Sequence, residues 1–312
     1  MERFAFVLRR PFELVPVLFG VSLVSFVLVH SIPGDPVRIL LGSRATAAVI
    51  AKVRAQYGLD EPLVVQYLYF LKNLLAGDLG RSIVYKAPVA GIVFDRIAPT
   101  AFLLAYALVL AILIGGAMAS LAALKAGRWQ DTAVRMVSTI GLGLPAFWLG
   151  IVLVLVFSIA LDLFPTSGYG DTFAEHLHHL FLPALTIALA LSPVLTRSLR
   201  ATLVAELASD YAVSARARGV GERRIFLSHV LRNALGPAIT VLGVNVGWLI
   251  GGTVVVEQVF SIPGLGQLMV GSIFARDYLV VQFVALVLAV AVILTNFVVD
   301  VLVALLDPRV RQ

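Results

Sequence analysis

Long apolar runs constrain this chain more than any other feature of its sequence. Hydrophobic residues make up 60% of the 312 residues and charged residues only 13%, whereas soluble domains average roughly 45–50% apolar and about 25% charged residues. A helix that crosses a bilayer needs about 20 mostly apolar residues. Six runs reach that length, at 11–30, 100–124, 133–160, 181–204, 236–256 and 279–306. The sequence therefore predicts an all-α integral membrane protein with about six transmembrane helices.

The segment between the first two runs is different in character. Residues 31–99 mix charged and apolar side chains, with turn-forming residues at 33–36 and 57–58 and an amphipathic stretch at 62–75. The first run is too long for a secretory signal and lacks a small-x-small cleavage site, so an uncleaved first span is expected. The predicted organisation is an N-terminus with the first helix at 1–30, an insertion at 31–99, and a core domain with five spans at 100–312.

The positions of Lys and Arg predict the orientation in the membrane. With the N-terminus inside, the inside segments carry fifteen of these residues, the two short outside loops carry only Arg276, and eight lie in the insertion. Short cytoplasmic loops carry the excess of Lys and Arg. Both termini are therefore expected in the cytoplasm and the insertion outside it. Because the positive residues lie between apolar runs, they are typical of topology signals and not of a nucleic-acid site.

Nucleotide and thiol chemistry have no support in the sequence. No G-x-x-x-x-G-K-[S/T] loop occurs, so the chain is not expected to hydrolyse ATP itself. Residues 141–146 match G-x-G-x-x-A, but they lie in an apolar run, contain Pro145 and follow no strand. Cysteine is absent, which excludes disulfides and Cys-ligated metals.

A histidine cluster lies in the outside loop before the fourth run. His176, His178 and His179 stand beside Asp171 and Glu175. Their spacing matches no usual zinc motif, so an interfacial, solvated loop is preferred to a metal port. No metal site is predicted.

Small residues line the fifth run. Gly243, Gly247 and Gly251 recur every four residues, with Asn245 and Trp248 between them. Such a stripe lets another helix approach closely, so packing within the subunit and a pore-lining surface both remain open. A polar Asn245 at mid-span needs a partner or a wet cavity, which favours the translocation path.

An arginine-rich loop, residues 197–235, separates the fourth and fifth runs. Its residue order predicts a short helix at 211–218, capped by Asp210 and stopped by Gly219 in a left-handed conformation. A second helix is expected after it. That helix should lie along the membrane surface on an apolar face, before Pro237 opens the fifth span; the face comprises Leu227, Val230, Leu231 and Ala234.

The short helix is expected to dock into another protein. Ala212, Ala215 and Gly219 fall on one flat face suited to a partner's groove. Arg216 and Arg218 point to different faces, so one is expected to meet a partner's acidic groups and the other lipid phosphate. The alternative is a solvated loop whose arginines only set the membrane orientation. Such a loop would explain the arginines, but it would not explain why a capping residue, a face of small residues and a glycine follow one another in this order.

Motifs along essentially the whole chain resemble one family, the permease subunits of ATP-binding-cassette importers in the dipeptide/oligopeptide/nickel branch. These motifs lie at 32–36, 57–60, 77–80, 145–150, 165–170, 210–219, 232–237, 260–266 and 307–309. The importer-wide pattern opens Glu-Ala-Ala six residues before its glycine, where this chain has Val213-Ser214-Ala215. The peptide branch commonly has Thr-Ala-Arg-Ala-Lys-Gly, so Ser214 and Arg218 are mild departures that leave docking intact.

The resemblance implies a multi-subunit machine in a bacterial or archaeal cytoplasmic membrane. Its parts are a second homologous permease, two ATP-binding-cassette ATPase subunits and an extracytoplasmic substrate-binding protein. ATP and Mg belong to the ATPases, and no cofactor is expected on this chain. The implied coupling residues are Asp210, Tyr211, Ala212, Ser214, Ala215, Arg216, Ala217, Arg218 and Gly219; the outside gate candidates are Ser261, Pro263, Gly264 and Gly266.

The expected function is import of short peptides, with this chain forming half of the path and resembling the first-permease type. The alternative is the same machine carrying nickel chelates, opines or other small solutes, which the outside histidines keep open. A secondary transporter would need ten or more spans with an inverted repeat, or charges deep in the spans. An intramembrane enzyme lacks any visible catalytic pairing. Cargo selection is expected to lie mainly in the binding protein.

Overall fold

The structure is helical throughout the residues that it describes. It is a computed structural model that describes residues 2–31, 46–56, 58–82 and 84–306. Over these ranges no β-strand forms, and the one extended pairing is a bridge between Arg81 and Pro88. The predicted all-α class is confirmed. The motifs at 32–36, Tyr57 and 307–309 lie outside the described residues.

The helices are numbered in chain order. They are α1 (Glu2–Ser31), α2 (Ala47–Gln56), α3 (Leu63–Leu75), α4 (Val89–Leu124), α5 (Trp129–Gly143), α6 (Ala146–Leu153), α7 (Phe173–His179), α8 (Phe181–Leu207), α9 (Asp210–Ala217), α10 (Glu222–Ile225), α11 (Leu231–Val259), α12 (Leu265–Ala275) and α13 (Tyr278–Leu306). A π-helical segment, Val154–Ala160, continues α6. A second one, Phe226–Val230, joins α10 to α11.

Several of these helices are long and apolar enough to cross a membrane. In the described part of the chain, four unbroken helices meet this requirement of length and hydrophobicity: α4, α8, the continuous stretch Glu222–Asn245, and Tyr278–Val299 of α13. α5, together with α6 and its π-helical continuation, meets the requirement as a fifth, bent candidate. The described apolar part of α1, Val15–Leu28, is shorter. The chain is thus multi-pass, and the count of six spans stays a prediction.

An unbroken helix over residues 133–160 was expected, and that expectation is wrong. α5 ends at Gly143, α6 begins at Ala146, and the two axes differ by 104°. Leu144 is extended, with φ −88° and ψ 124°, as a residue before proline prefers. Pro145 also lacks the N–H that would continue the helical hydrogen bonds. The proline therefore turns the chain inside an apolar run.

Pro237 acts differently from Pro145. The helical path is continuous from Glu222 to Val259 and Pro237 lies inside it, so the expectation that Pro237 opens the fifth span is wrong. The expected membrane-facing side of the second helix is also wrong in part, because Val230 and Ala234 are buried in the chain's own core whereas Leu227 is exposed. The π-helical segment accounts for the change, since its wider turn shifts the register on which the face was predicted.

The chain divides into two units, each with its own core. Unit 1 comprises Met1–Thr100 and Pro263–Ala291, and unit 2 comprises Ala101–Ile262 and Val292–Gln312. The core of unit 1 contains Val89, Val93, Leu265, Leu268, Val280 and Val284. In unit 2 the helix α8 is the most buried span, with 67% of its most apolar window covered, against 28% for each of the other three unbroken candidates. α8 packs against α5, α6 and α11.

A buried ion pair joins α5 to α8 within unit 2. Arg200 Nε and Nη2 donate to the two carboxylate oxygens of Asp131 at 2.5 and 2.6 Å. The N–H of Gly127 donates to Asp131 Oδ2 at 3.0 Å. The Asp131 side chain is only 3% exposed, so its charge depends on these donors. No sequence pattern pointed to Asp131, and Arg200 was expected in the arginine-rich loop.

Replacing Arg200 by Leu should destabilise the protein by about 3–5 kcal/mol, because it leaves the Asp131 charge buried without its partner. The measurement is the thermal unfolding midpoint of the purified protein in detergent. Arg135→Gln is the matched control, because Arg135 lies 3.6 Å from Asp131 and is 54% exposed, which predicts a loss below about 1 kcal/mol. Equal shifts of the two midpoints would contradict the role of the pair.

Candidate functional site

The short helix expected in the arginine-rich loop is present as α9. It ends in a Schellman motif, in which Gly219 has φ +79°. The Gly219 N–H donates to Arg216 O at 2.9 Å and the Val220 N–H donates to Ala215 O at 3.1 Å. Glycine adopts this left-handed conformation without the steric strain that a Cβ would add. The glycine stop predicted from the sequence is confirmed.

The start of α9 differs from the prediction. Ser209 occupies the cap position with an extended backbone, and Asp210 is the first helical residue, so the assignment of Asp210 as the cap is wrong. A carboxylate in the first turn still interacts favourably with the helix dipole. The loop itself is shorter than 197–235, because α8 continues to Leu207 and therefore contains Arg197 and Arg200.

The alanine face of α9 points into its own subunit. Ala212 and Ala215 are buried in a core cluster that includes Leu203, Ile225 and Val230. The prediction that these alanines sit in a partner's groove is therefore wrong. Small side chains at these positions let α9 lie close against α8 and α10.

The opposite face of α9 is exposed. Asp210, Val213, Ser214 and Ala217 stand at i, i+3, i+4 and i+7, and all four are solvent-exposed. Residues with this spacing share one side of a helix. Val213 is 53% exposed, which gives this face an apolar centre between polar neighbours. No sequence pattern predicted a role for Val213.

Two hydrogen bonds to Glu206 link α9, α8 and α11. The Tyr211 hydroxyl donates to Glu206 Oε2 at 2.6 Å, which ties α9 to the end of α8. Asn233 Nδ2 donates to the same oxygen at 3.4 Å. Burial and the Glu206 carboxylate raise the pKa of the Tyr211 phenol, so it remains a hydrogen-bond donor. A displacement of α9 would therefore move α8 and the start of α11 with it.

The two arginines of α9 have different surroundings. Arg216 Nε lies 2.7 Å from Glu222 Oε1, and its Nη1 donates to Leu207 O at 3.0 Å. Arg216 therefore braces the loop within the chain. Arg218 is exposed, and no carboxylate of the described ranges lies within 4.0 Å of it. It lines a basic cavity of about 390 Å³ together with Tyr211, Ala215, Ser228, His229, Arg232 and Asn233.

The glycine stripe of α11 divides into a packed part and an open part. A Cβ at Gly243 would overlap Val299 Cγ1 of α13, and one at Gly247 would lie 3.8 Å from Val292 Cγ1, whereas one at Gly251 would meet no atom within 4 Å. Gly243 therefore serves helix packing. Asn245 Nδ2 donates to Val241 O in its own helix at 2.7 Å, and Trp248 is 55% exposed. A pore role for the open part stays a prediction.

The gate candidates form the turn between α11 and α12. Ser261 has φ +48°, and the following Ile262 N–H donates to Glu257 O at 2.9 Å. A non-glycine residue in this conformation is uncommon and strained. Pro263 and Gly264 follow, Gly264 caps α12, and Gly266 is buried within that helix. The gating role of these residues stays a prediction.

The three histidine side chains of the outside loop contact backbone carbonyl groups within 163–169. His176 Nδ1 lies 2.9 Å from Tyr169 O, His178 Nε2 lies 3.1 Å from Leu163 O, and His179 Nδ1 lies 3.0 Å from Ser167 O. Each ring thus faces a different carbonyl. The N–H groups of Asp171 and Thr172 hold the pKa of Glu175 below its usual range. No cluster of three or more potential metal ligands occurs among the residues that the structure covers.

Comparisons with known proteins match nearly the whole chain. Residues 107–312 match the model of the binding-protein-dependent transport system inner membrane component, and residues 3–111 match the N-terminal model of the same membrane components. Relatives include the glutathione transport system permease protein GsiC of Escherichia coli K12, of Escherichia coli O6:H1 and of Shigella dysenteriae serotype 1. Each is 42% identical over 306 residues, which is 98% of both chains.

Replacing Gly243 by Ala should destabilise the protein, because the added methyl group overlaps Val299. Gly251→Ala is the matched control in the same helix, and it should be neutral or slightly stabilising, since Ala favours a helix by up to about 1 kcal/mol over Gly. Thermal unfolding of both variants in detergent measures the difference. A lower midpoint for Gly251→Ala than for Gly243→Ala would contradict the assignment of Gly243 to packing.

Proposed function

Because the chain belongs to the inner-membrane components of binding-protein-dependent transport systems, we propose that it is the first-type permease of an ATP-driven importer of short peptides. It is a multi-pass inner-membrane transport subunit. A second homologous permease completes the path, two ATP-binding-cassette ATPase subunits supply the energy, and a substrate-binding protein delivers the cargo. ATP and Mg bind to the ATPases, and this chain carries no cofactor.

We also propose that α9 couples this chain to an ATPase subunit, and the main support is the attachment of α9 to the rest of the chain. Its alanine face is buried in the chain's own core, while its other face, Asp210 to Ala217, is exposed. We assign that exposed face, with Arg218 and Gly219 at its end, to contact with an ATPase subunit. Val213 supplies an apolar contact and Arg218 a free positive charge for an acidic group.

The same anchoring suggests how force reaches the spans. α9 is braced on α8 by the bond from Tyr211 to Glu206, and on α10 by the pair of Arg216 with Glu222. When the ATPases close on ATP, a push on α9 moves both helices. The spans then change between inward-facing and outward-facing states, which bind ATP and cargo unequally.

The translocation path and the outside gate complete the proposal. Asn245, Trp248 and Gly251 belong to the part of α11 that lacks the tight packing of Gly243, and we place them on the path. We assign the extracytoplasmic gate to the turn that contains Ser261, Pro263, Gly264 and Gly266. This placement rests on the Lys and Arg distribution, which puts both termini inside and residues 31–99 outside.

Two findings support peptides as the cargo class. The relatives are named for glutathione transport, and glutathione is a tripeptide. The histidine loop adds little support for nickel chelates, because the described residues include no group of three or more His, Asp or Glu side chains placed to share a metal ion.

Replacing Val213 by Glu should leave the subunit inserted but reduce recovery of the ATPases by at least about tenfold, which corresponds to about 1.4 kcal/mol. The reason is that the substitution places a charge at the apolar centre of the docking face. Copurification from membranes with a tagged permease measures the recovery. Leu227→Glu is the matched control, because Leu227 is 51% exposed but lies off α9. Unchanged recovery with Val213→Glu would remove the proposed docking face.

The complete importer in proteoliposomes should accumulate a tritiated dipeptide when ATP is inside and the binding protein is outside. Nonhydrolysable ATP should stop accumulation, because closure alone completes no cycle. Radioactive nickel with free histidine is the competing cargo. Accumulation of nickel without peptide would replace the cargo class and leave the permease role standing.

A further inference from the structure

Unit 1 contains a cavity that the proposed translocation path does not use. Its volume is about 410 Å³, within the roughly 300–1,000 Å³ range of ligand pockets. The end of α1, helix α3, the segment at 78–81 and the start of α13 form it. Five aromatic side chains contribute to the walls: Phe26, Tyr69, Phe70, Tyr278 and Phe283.

Some polar groups of the cavity already have structural partners. His30 Nδ1 lies 2.8 Å from Phe26 O, and its Nε2 lies 3.2 Å from Gln66 Oε1. Gln66 Nε2 donates to Glu61 O at 2.7 Å, which fixes the direction of that amide. These contacts link α1 to α3, so His30 and Gln66 shape the wall and have little left to offer a ligand.

Gln282 differs from these residues. Its side chain is 2% exposed and lines the cavity, and it forms no hydrogen bond with any residue in the described ranges. Its primary amide offers two N–H donors and an acceptor oxygen. These groups have no hydrogen-bond partner within the described fold and line the cavity, where a ligand can reach them. The cavity therefore presents a directional amide to whatever enters it.

The mouth of the cavity carries both signs of charge. Asp78 Oδ1 accepts the Gly80 N–H at 3.0 Å, which leaves the other carboxylate oxygen available. Arg81 Nη2 donates to Lys86 O at 2.9 Å, which leaves its other N–H groups available. Both side chains are exposed, as is the amide of Asn73 beside them. A ligand with a positive and a negative end could meet both residues.

We propose that this cavity binds a short zwitterionic peptide. Gln282 hydrogen-bonds a main-chain amide, the aromatic walls hold one apolar side chain, and Asp78 and Arg81 receive the terminal ammonium and carboxylate. A phospholipid fits less well, because an acyl chain cannot satisfy Gln282 and an anionic headgroup would meet Asp78. The inference rests on the proposed function in one respect, namely that this permease encounters peptides.

Equilibrium dialysis of the permease–ATPase complex in nanodiscs, without binding protein or nucleotide, tests the site with tritiated phenylalanyl-alanine. Saturable binding is expected. Gln282→Leu should weaken it at least fivefold. Asn73→Trp should abolish it by filling the mouth from an exposed position where the fold tolerates the change. The N-acetylated, C-amidated peptide should bind at least tenfold more weakly, because it lacks both end charges.

Gln130→Leu is the matched control, since the Gln130 amide oxygen has no hydrogen-bond partner and Gln130 lies in unit 2, outside the cavity. Binding equal to the unsubstituted complex is expected for it. Binding unchanged by both Gln282→Leu and Asn73→Trp would overturn the proposal and place the peptide elsewhere. A phospholipid that native mass spectrometry finds retained, and that Gln282→Leu releases, would overturn it in favour of a lipid site.

Failure of the cavity site and failure of the proposed function give different results. If the complete importer accumulates peptide while the two cavity variants bind it normally, only the cavity site is wrong. If the importer accumulates no peptide, the cargo class is wrong whatever the dialysis shows.

Discussion

A bilayer offers no hydrogen bonds to a polypeptide backbone, and the architecture of this chain follows from that constraint. Each crossing segment must pair its own N–H and C=O groups, which only a helix does within a single span. The described fold is accordingly helical, and its departures from regularity are local. A helix ends before Pro145, whereas Pro237 lies inside a continuous helix. Two short segments have the wider turns of a π-helix. Burial within unit 2, where the Asp131 side chain is only 3% exposed, explains why Asp131 meets Arg200 in a bidentate pair.

The anchoring of α9 connects this constraint to the proposed transport role. A helix that transmits force must be fixed to what it moves, and Ala212, Ala215 and Tyr211 fix α9 to the ends of neighbouring helices. A helix that receives force must also leave a surface for its partner. The exposed face centred on Val213 is the surface that we assign to this contact. The two requirements occupy opposite sides of a helix of eight residues.

Sequence patterns predicted the candidate site unevenly, and the reason is geometric. The existence of α9 and its stop at Gly219 follow from local backbone preferences, so they were predictable. Which face of α9 docks was not, because Ala212 and Ala215 suit a partner's groove and the chain's own core equally well. The different surroundings of Arg216 and Arg218 could not be predicted either, since Arg216 forms its ion pair with Glu222 only after the loop has folded. Asp131 had no local signal at all, because Arg200 lies far along the chain.

The sequence by itself determined a multi-pass helical membrane protein, its family and the position of the short helix α9 along the chain. These properties depend on hydropathy, on motif spacing and on local conformational preferences, all of which act over a few turns of chain. The tertiary structure decided which side of that helix is free and that Gly243 packs while Gly251 does not. Those outcomes depend on which atoms of distant segments come into van der Waals contact, and hydrophobicity alone does not encode such contacts.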